Sequence, residues 1–140
     1  MFQRIVIAYD DSPGARAALK AAVGIARLGA TELTAVAVEA HLPHYGATVG
    51  EVDEERAFEE KACRRWLAAA NAYALEQGVA LRTEIRAGHP AQELIHAADS
   101  HHADLLVIGH SGHSAVWGRL VGTTAERVGR HAPCSVLIVR

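Results

Sequence analysis

Residues 4–29 read RIVIAYDDSPGARAALKAAVGIARLG and place a short apolar run directly before a helix signal. The run from Arg4 to Tyr9 is rich in β-branched residues and does not alternate, which is typical of a central strand covered on both faces. Ser12 fits a helix N-cap, Pro13 fits the first helical position, and Gly29 ends the apolar stripe that follows. The stretch therefore predicts a strand-to-helix unit.

The same unit repeats along the rest of the chain. Strand-like segments lie at 33–39, 79–86, 104–109 and 134–140, and helical patterns lie between them at 51–77, after Pro90 and at 123–131. This alternation predicts an α/β fold with a mostly parallel sheet between two layers of helices, a three-layer sandwich. Ligands of such sheets bind beyond the carboxyl ends of the strands where the winding reverses. The loops after the first and fourth strands are therefore the candidate site.

The longest helical segment, 51–77, shows large apolar side chains at helical spacing. Its predicted buried stripe consists of Phe58, Ala62, Trp66, Ala69 and Tyr73. We expect Trp66 to belong to the core.

Composition limits the classes of function. The 140 residues carry a formal net charge of −2, and 50% of them are hydrophobic, which fits one globular domain spanning 1–140. Basic residues are scattered, no run approaches the roughly 20 apolar residues that span a bilayer, and no signal-peptide pattern opens the chain. We expect a cytoplasmic protein without nucleic-acid or membrane partners. Cys63 and Cys134 lack metal-ligand spacing, so both are predicted to be buried thiols.

Glycines and hydroxyl residues follow the fourth predicted strand in an unusual spacing. Gly109 and Gly112 are followed, after nine further residues, by Gly122, and Thr123 and Thr124 then open a helix. Glycine lets the backbone approach an anion closely, and the free N–H groups at a helix start favour phosphate. Turn geometry alone would explain any single glycine, but the set predicts a phosphate cradle. It is not a P-loop, because no lysine follows the second glycine.

This spacing resembles the nucleotide motif of the universal stress protein family. The opening VIAYDDSPGARAALKAA at 6–22 and the ending ERVGRHAPCSVLIV at 126–139 are also similar to that family, so the resemblance covers the whole chain. It implies a Rossmann-like fold of the adenine-nucleotide α-hydrolase type, with a five-stranded parallel sheet in the order 3-2-1-4-5. It also implies that ATP lies between the ends of strands one and four.

The resemblance assigns roles residue by residue. It places Ala8, Asp10 and Val38 near adenine and ribose, and it places Gly109, Gly112, Gly122, Thr123 and Thr124 at the phosphates. The family often has a basic residue at the position of Ser111, so a divalent ion, Mg²⁺ or Mn²⁺, would supply the missing positive charge here. The resemblance also implies a homodimer formed through the last strand, whose apolar edge Val136–Val139 invites pairing.

Several roles have alternatives. Asp10 fits a turn residue as well as a ligand contact, and capping explains Ser12 fully. His110 and His113 fit exposed loop residues, phosphate contacts or metal ligands, and Trp117 fits a lid, a subunit contact or local packing.

The leading functional hypothesis is an ATP-binding regulator or sensor of the stress response. The first alternative is a slow ATPase or autophosphorylating protein, in which Asp10, His110 or His113 orients water and Thr123 or Thr124 accepts phosphate. No convincing general base supports that reading. The second alternative is a dimeric interaction protein that binds no nucleotide.

Overall fold

Strands and helices alternate through the part of the chain described by the computed structural model, which is residues 2–40, 48–110 and 123–140. The elements are β1 (Arg4–Ala8), α1 (Pro13–Ala26), β2 (Glu32–Ala40), α2 (Val49–Glu76), β3 (Leu81–Gly88), α3 (Pro90–Ser100), β4 (Leu105–Gly109), α4 (Thr123–His131) and β5 (Ser135–Val139). The predicted alternation is confirmed. Among these residues, no helix combines the length and the apolar character needed to cross a bilayer.

The five strands form one parallel sheet in the order β3-β2-β1-β4-β5, which confirms the predicted order. In the centre, Ile7 of β1 lies between Ala35 of β2 and Val107 of β4. The chain adds strands to one side of β1 and then to the other. The winding direction therefore reverses between β1 and β4, and the carboxyl ends of these two strands meet at the point where such folds bind ligands.

Alternate side chains of β1 serve two separate cores. Ile5 and Ile7 pack with α1 and α2 on one face of the sheet, whereas Val6 packs with α3 and α4 on the other. All three are at most 1% exposed, as a central strand requires. This arrangement is the predicted three-layer sandwich.

The helix α2 begins two residues before the predicted start because a capping box fixes its first turn. Thr48 Oγ1 accepts a hydrogen bond from the backbone N–H of Glu51 at 3.2 Å, and Glu51 Oε2 accepts one from the N–H of Thr48 at 3.0 Å. These two bonds satisfy backbone donors that a helix start leaves without partners.

The buried face of α2 differs from the predicted stripe. Its buried residues are Ala62, Cys63, Leu67, Ala70 and Ala74. Phe58 is 71% exposed, Ala69 is exposed, and Trp66 and Tyr73 lie half-buried at the edge of the core. The predicted stripe is therefore confirmed for Ala62 and in part for Trp66 and Tyr73, and it is wrong for Phe58 and Ala69. The small buried side chains of α2 bring the helix close to the sheet.

The two cysteines are free thiols in different surroundings. Cys63 is buried in the core under α2, as predicted. Cys134 is only half-buried, contrary to the prediction, since it directly precedes the edge strand β5, none of whose residues is buried.

An ion-pair network joins the edge strand β3 to both ends of α3. Arg86 donates from Nη1 to Glu84 Oε1 at 2.8 Å and from Nε to Glu93 Oε1 at 3.1 Å, and His101 Nε2 contacts Glu84 Oε2. Burial raises the pKa of Glu84, but the hydrogen bonds and charges of His101 and Arg86 outweigh it and hold the pKa below the usual 4.5. The stabilisation from ionised Glu84 is therefore present at neutral pH and is lost as the pH falls below 4.5 through the lowered pKa.

Glu84→Gln should lower the melting temperature at pH 7 by about 3 °C, because a partly exposed charge network contributes about 1 kcal/mol. The difference from the wild type should shrink as the pH falls below 4.5, where the wild-type carboxyl also becomes neutral. Thermal denaturation of both proteins across this range measures the effect. A difference that stays constant or grows in acid would contradict the charge-based origin of the stabilisation.

Candidate functional site

A cavity of about 310 Å³ opens beyond the carboxyl ends of β1, β2 and β4. The turn from β1 into α1 forms one wall, and the end of β4 with the first turn of α4 forms another. The end of β2, the side of α2 and the first turn of α3 close the remaining side. The cavity therefore lies where the winding of the sheet reverses, in the place that the sequence indicated.

Five of the eight predicted site residues line this cavity: Ala8, Asp10, Val38, Gly109 and Thr124. Gly112 and Gly122 lie outside the described residues, and so does the side chain of Thr123, whose backbone begins α4. The structure thus brings together residues from β1, β2, β4 and α4 that are up to 116 positions apart in sequence (124 − 8). His113 and Trp117 also lie outside the described residues.

Asp10 combines the two interpretations left open by the sequence. Its Oδ1 accepts a hydrogen bond from the backbone N–H of Ser12 at 3.0 Å, which makes it a turn residue. Its half-buried side chain also lines the cavity. Ser12 is the N-cap that the sequence predicted, because its Oγ accepts from the N–H of Ala15 at 3.1 Å, and it too lines the cavity while only 2% exposed.

Tyr9 and Asp11 stabilise the same turn and were not identified as site residues from the sequence. The Tyr9 hydroxyl donates to Asp11 Oδ1 at 2.9 Å, and Arg16 Nε lies 3.3 Å from the same oxygen. Asp11 has a φ of 59°, a left-handed conformation that few residues other than glycine adopt. Burial, followed by the hydrogen bond and charge of Asp11, raises the pKa of Tyr9 to about 12, so this phenol remains a neutral donor. These contacts therefore stabilise the backbone of the turn that carries Asp10.

Gly109 is required by packing at the end of β4. A Cβ placed there would lie 2.5 Å from the carbonyl carbon and 2.6 Å from the oxygen of Gly14, in the first turn of α1. Such contacts are closer than any real Cβ makes, and the neighbouring atoms are backbone. The absence of a side chain at Gly109 therefore lets α1 pack directly against β4. This packing needs a glycine whether or not a ligand is bound.

His110 follows Gly109 and extends the polar part of the wall. Its backbone N–H donates to the carbonyl oxygen of Val139 at 2.7 Å, which continues the contact between β4 and β5 by one residue. Its half-buried side chain lines the cavity, as does Thr124 in the first turn of α4. The lining of the cavity therefore includes a carboxylate, an imidazole and hydroxyl groups.

Trp66, which the sequence assigned to the core, lies half-buried at the edge of the core and also at the cavity. It packs against the core under α2 and also lines the cavity, together with Ala40, Pro90 and Leu94. These residues add apolar side chains to the lining. The sequence offered an aromatic residue in the middle of the predicted stripe of α2, but the packing of α2 beside the end of β2 is what places that residue at the cavity.

The side chains of the described residues include no group of three or more histidine, cysteine, aspartate or glutamate residues that could hold a metal ion. Asp10 and His110 line the cavity as single potential ligands from different elements. Within the described ranges, these two side chains by themselves do not make a metal site.

Comparisons of sequence and of structure with known proteins point to one family. The family model described as the universal stress protein family matches residues 1–140. A Thermus aquaticus protein described as a universal stress protein is 33% identical over 140 residues, which are 100% of both chains. The solved structure of universal stress protein UspA from Lactobacillus plantarum has a TM-score of 0.81 and 29% identity, and the match covers 99% of this chain and 97% of that chain. A crystal structure of a universal stress protein in complex with cAMP has a TM-score of 0.76 and 28% identity over 99% and 97% of the two chains.

Proposed function

This chain belongs to the universal stress protein family, and from that premise we propose that its cavity binds an adenine nucleotide, with ATP as the preferred ligand. The observation that carries the proposal is the position of the cavity at the reversal of the sheet, together with the two kinds of side chain that line it. The apolar ones come from β2, α2 and α3 and are here called the apolar end, and the polar ones come from the turn after β1, the end of β4 and the start of α4 and are called the polar end. A relative of 28% identity was crystallised with cAMP, which supports an adenine nucleotide as the class of ligand.

The apolar end suits a base. Val38, Ala40 and Leu94 offer aliphatic surface, and Trp66 adds an aromatic ring on which a base can stack. Stacking of a base on an aromatic side chain is worth about 1–3 kcal/mol. The volume of about 310 Å³ is at the lower end of the range for small-molecule sites, which suits a base and a ribose with the phosphates extending outward.

The polar end suits ribose and phosphate. The Asp10 carboxylate is an acceptor for ribose hydroxyls, and Thr124 lies at the start of α4, where free backbone N–H groups favour an anion. We propose that Gly112, Gly122 and Thr123 complete the phosphate cradle, as the family resemblance implies. A Mg²⁺ or Mn²⁺ ion would enter together with the phosphates, which supply the ligands that the described residues lack.

We infer that binding, rather than turnover, is the main activity, and that the protein acts in the cytoplasm as a nucleotide-dependent regulator or sensor of stress. ATP occupancy would change residues 113–121, which lie between Gly112 and Gly122 of the motif, and would thereby change a surface offered to a partner. A steady-state phosphate-release assay with Mg²⁺ tests this choice. Repeated turnover that is lost in Asp10→Ala would favour the ATPase alternative instead.

The homodimer is a separate proposal based on the edge of the sheet. In the described sheet β5 pairs only with β4, and Leu137 on this edge strand is 37% exposed. An edge strand with apolar side chains can pair with its copy. Sedimentation at low protein concentration should therefore give twice the mass of one chain, whereas the mass of one chain would contradict the dimer.

Trp66→Ala should weaken ATP binding about tenfold, because the apolar end loses its aromatic surface. Trp66→Phe should retain affinity to within about threefold, since a smaller ring still stacks. Calorimetric titration of each variant with ATP and Mg²⁺ measures the effect. Phe58→Ala is the matched control, because Phe58 lies on the same helix but is 71% exposed and does not line the cavity. Equal affinities for wild type and Trp66→Ala would remove Trp66 from the site.

A further inference from the structure

The first half of α2 contributes nothing to the core. From Val49 to Lys61 no side chain is buried, and the first buried residue of the helix is Ala62. Two large apolar side chains are instead exposed on it, Val49 at 79% and Phe58 at 71%. Helices of this length gain most of their stability from packing an apolar face, so an exposed half-helix with a central aromatic residue indicates a surface that packs elsewhere.

The outward face of this half-helix has an ordered charge pattern. Successive residues of a helix are about 100° apart around its axis. Leu67, which is buried, follows Phe58 by nine positions, so Phe58 lies on the opposite side of the helix. Four exposed charged residues share the face of Phe58 at spacings of three and four residues: Glu51, Glu54, Lys61 and Arg65. The spacing is that of the a and d positions of a coiled coil. Acidic residues precede Phe58, and basic residues follow it.

The order of charges on this face is complementary to the order on a second copy that runs antiparallel to it. When two copies of α2 lie antiparallel with Phe58 opposite Phe58, Glu51 of one copy lies opposite Arg65 of the other, and Glu54 lies beside Lys61. Each ion pair then occurs twice, because the two-fold axis repeats it. A parallel arrangement would instead place each charge opposite a like charge.

We propose that this face, defined by Glu51, Glu54, Phe58, Lys61 and Arg65 and here called the α2 seam, pairs antiparallel with the α2 seam of a second copy of this chain. Five side chains per copy are far fewer than the roughly 20–30 residues per side of a stable interface. The pairing is therefore reversible and depends on concentration. α2 covers β2 and β3, whereas the edge strand β5 lies at the other end of the sheet, so the two surfaces act independently.

Charge exchange across the α2 seam tests the proposal. In sedimentation of the full chain over increasing concentration, the average mass of the wild type should rise toward twice its low-concentration value. Glu54→Lys or Lys61→Glu alone should abolish this rise, because each places like charges opposite one another. The double variant Glu54→Lys, Lys61→Glu should restore it, since the exchange recreates the complementary order. Phe58→Ala should abolish it as well.

Arg56→Glu is the matched control. It changes the net charge by the same amount as Lys61→Glu and lies on the same exposed half-helix, but about 160° around the helix from Phe58. The average mass of the Arg56→Glu variant should rise with concentration as that of the wild type does. A wild-type mass that does not change with concentration would overturn the proposal, and so would a double variant that stays at the low mass or a control that behaves like Lys61→Glu. Circular dichroism of each variant shows that α2 remains folded.

Discussion

Gly109→Ala should destabilise the protein by about 3 kcal/mol and lower its melting temperature by about 10 °C. The added methyl group would lie 2.5 Å from the carbonyl carbon of Gly14. Because the atoms in its way are backbone, no side-chain rotation relieves the contact, and α1 must move away from β4. Urea and thermal denaturation measure the loss.

Gly24→Ala provides the control for this experiment. Gly24 lies inside α1, is exposed, and has nothing within 4 Å of an added Cβ. Alanine is the better helix former, so this variant should gain up to about 1 kcal/mol. If Gly109→Ala melted like the wild type, the close packing of α1 on β4 would be contradicted.

Asp10→Ala should reduce the affinity for ATP at least tenfold. The reason is the loss of a charged acceptor at the polar end of the cavity, where a hydrogen bond to a charged group contributes about 1.5–3 kcal/mol. Calorimetric titration measures the affinity, and thermal denaturation measures the cost to the fold. The melting temperature should fall as well, because the turn loses the bond from the N–H of Ser12 to Oδ1.

Asp10→Asn separates the two roles of this residue. Its amide oxygen can still accept from Ser12, so the turn and the melting temperature should be retained, whereas the negative charge in the cavity is lost. We expect an affinity well below that of the wild type. If both variants bound ATP normally and only Asp10→Ala melted early, Asp10 would be a turn residue and nothing more.

The strands and the start of α1 were predictable because their causes are local. An unbroken β-branched run shows that β1 is covered on both faces, and Ser12 followed by Pro13 defines the start of α1. The strand order depended on the resemblance in addition, since alternation predicts a parallel sheet but not which strands are neighbours. The structure confirms the parallel sheet and the order of its strands.

The lining of the cavity was predictable where it depends on the sheet and was not where it depends on helix packing. Ala8, Asp10 and Gly109 follow from the strand ends, so a parallel sheet brings them together without further information. Trp66 reaches the cavity only because the small side chains of α2 set how the helix rotates on the sheet. The stripe predicted from helical spacing missed that rotation, and it also placed the exposed Phe58 on the same face as Trp66.

Calorimetric titration of ATP with Mg²⁺ into protein freed of any nucleotide carried through purification tests the central proposal most directly. We expect saturable binding of one ATP per chain with a dissociation constant in the micromolar range or below. Absence of binding heat at high ATP, by a protein whose circular dichroism shows an intact fold, would contradict the proposed nucleotide site and would leave the glycines of the motif with a purely architectural role.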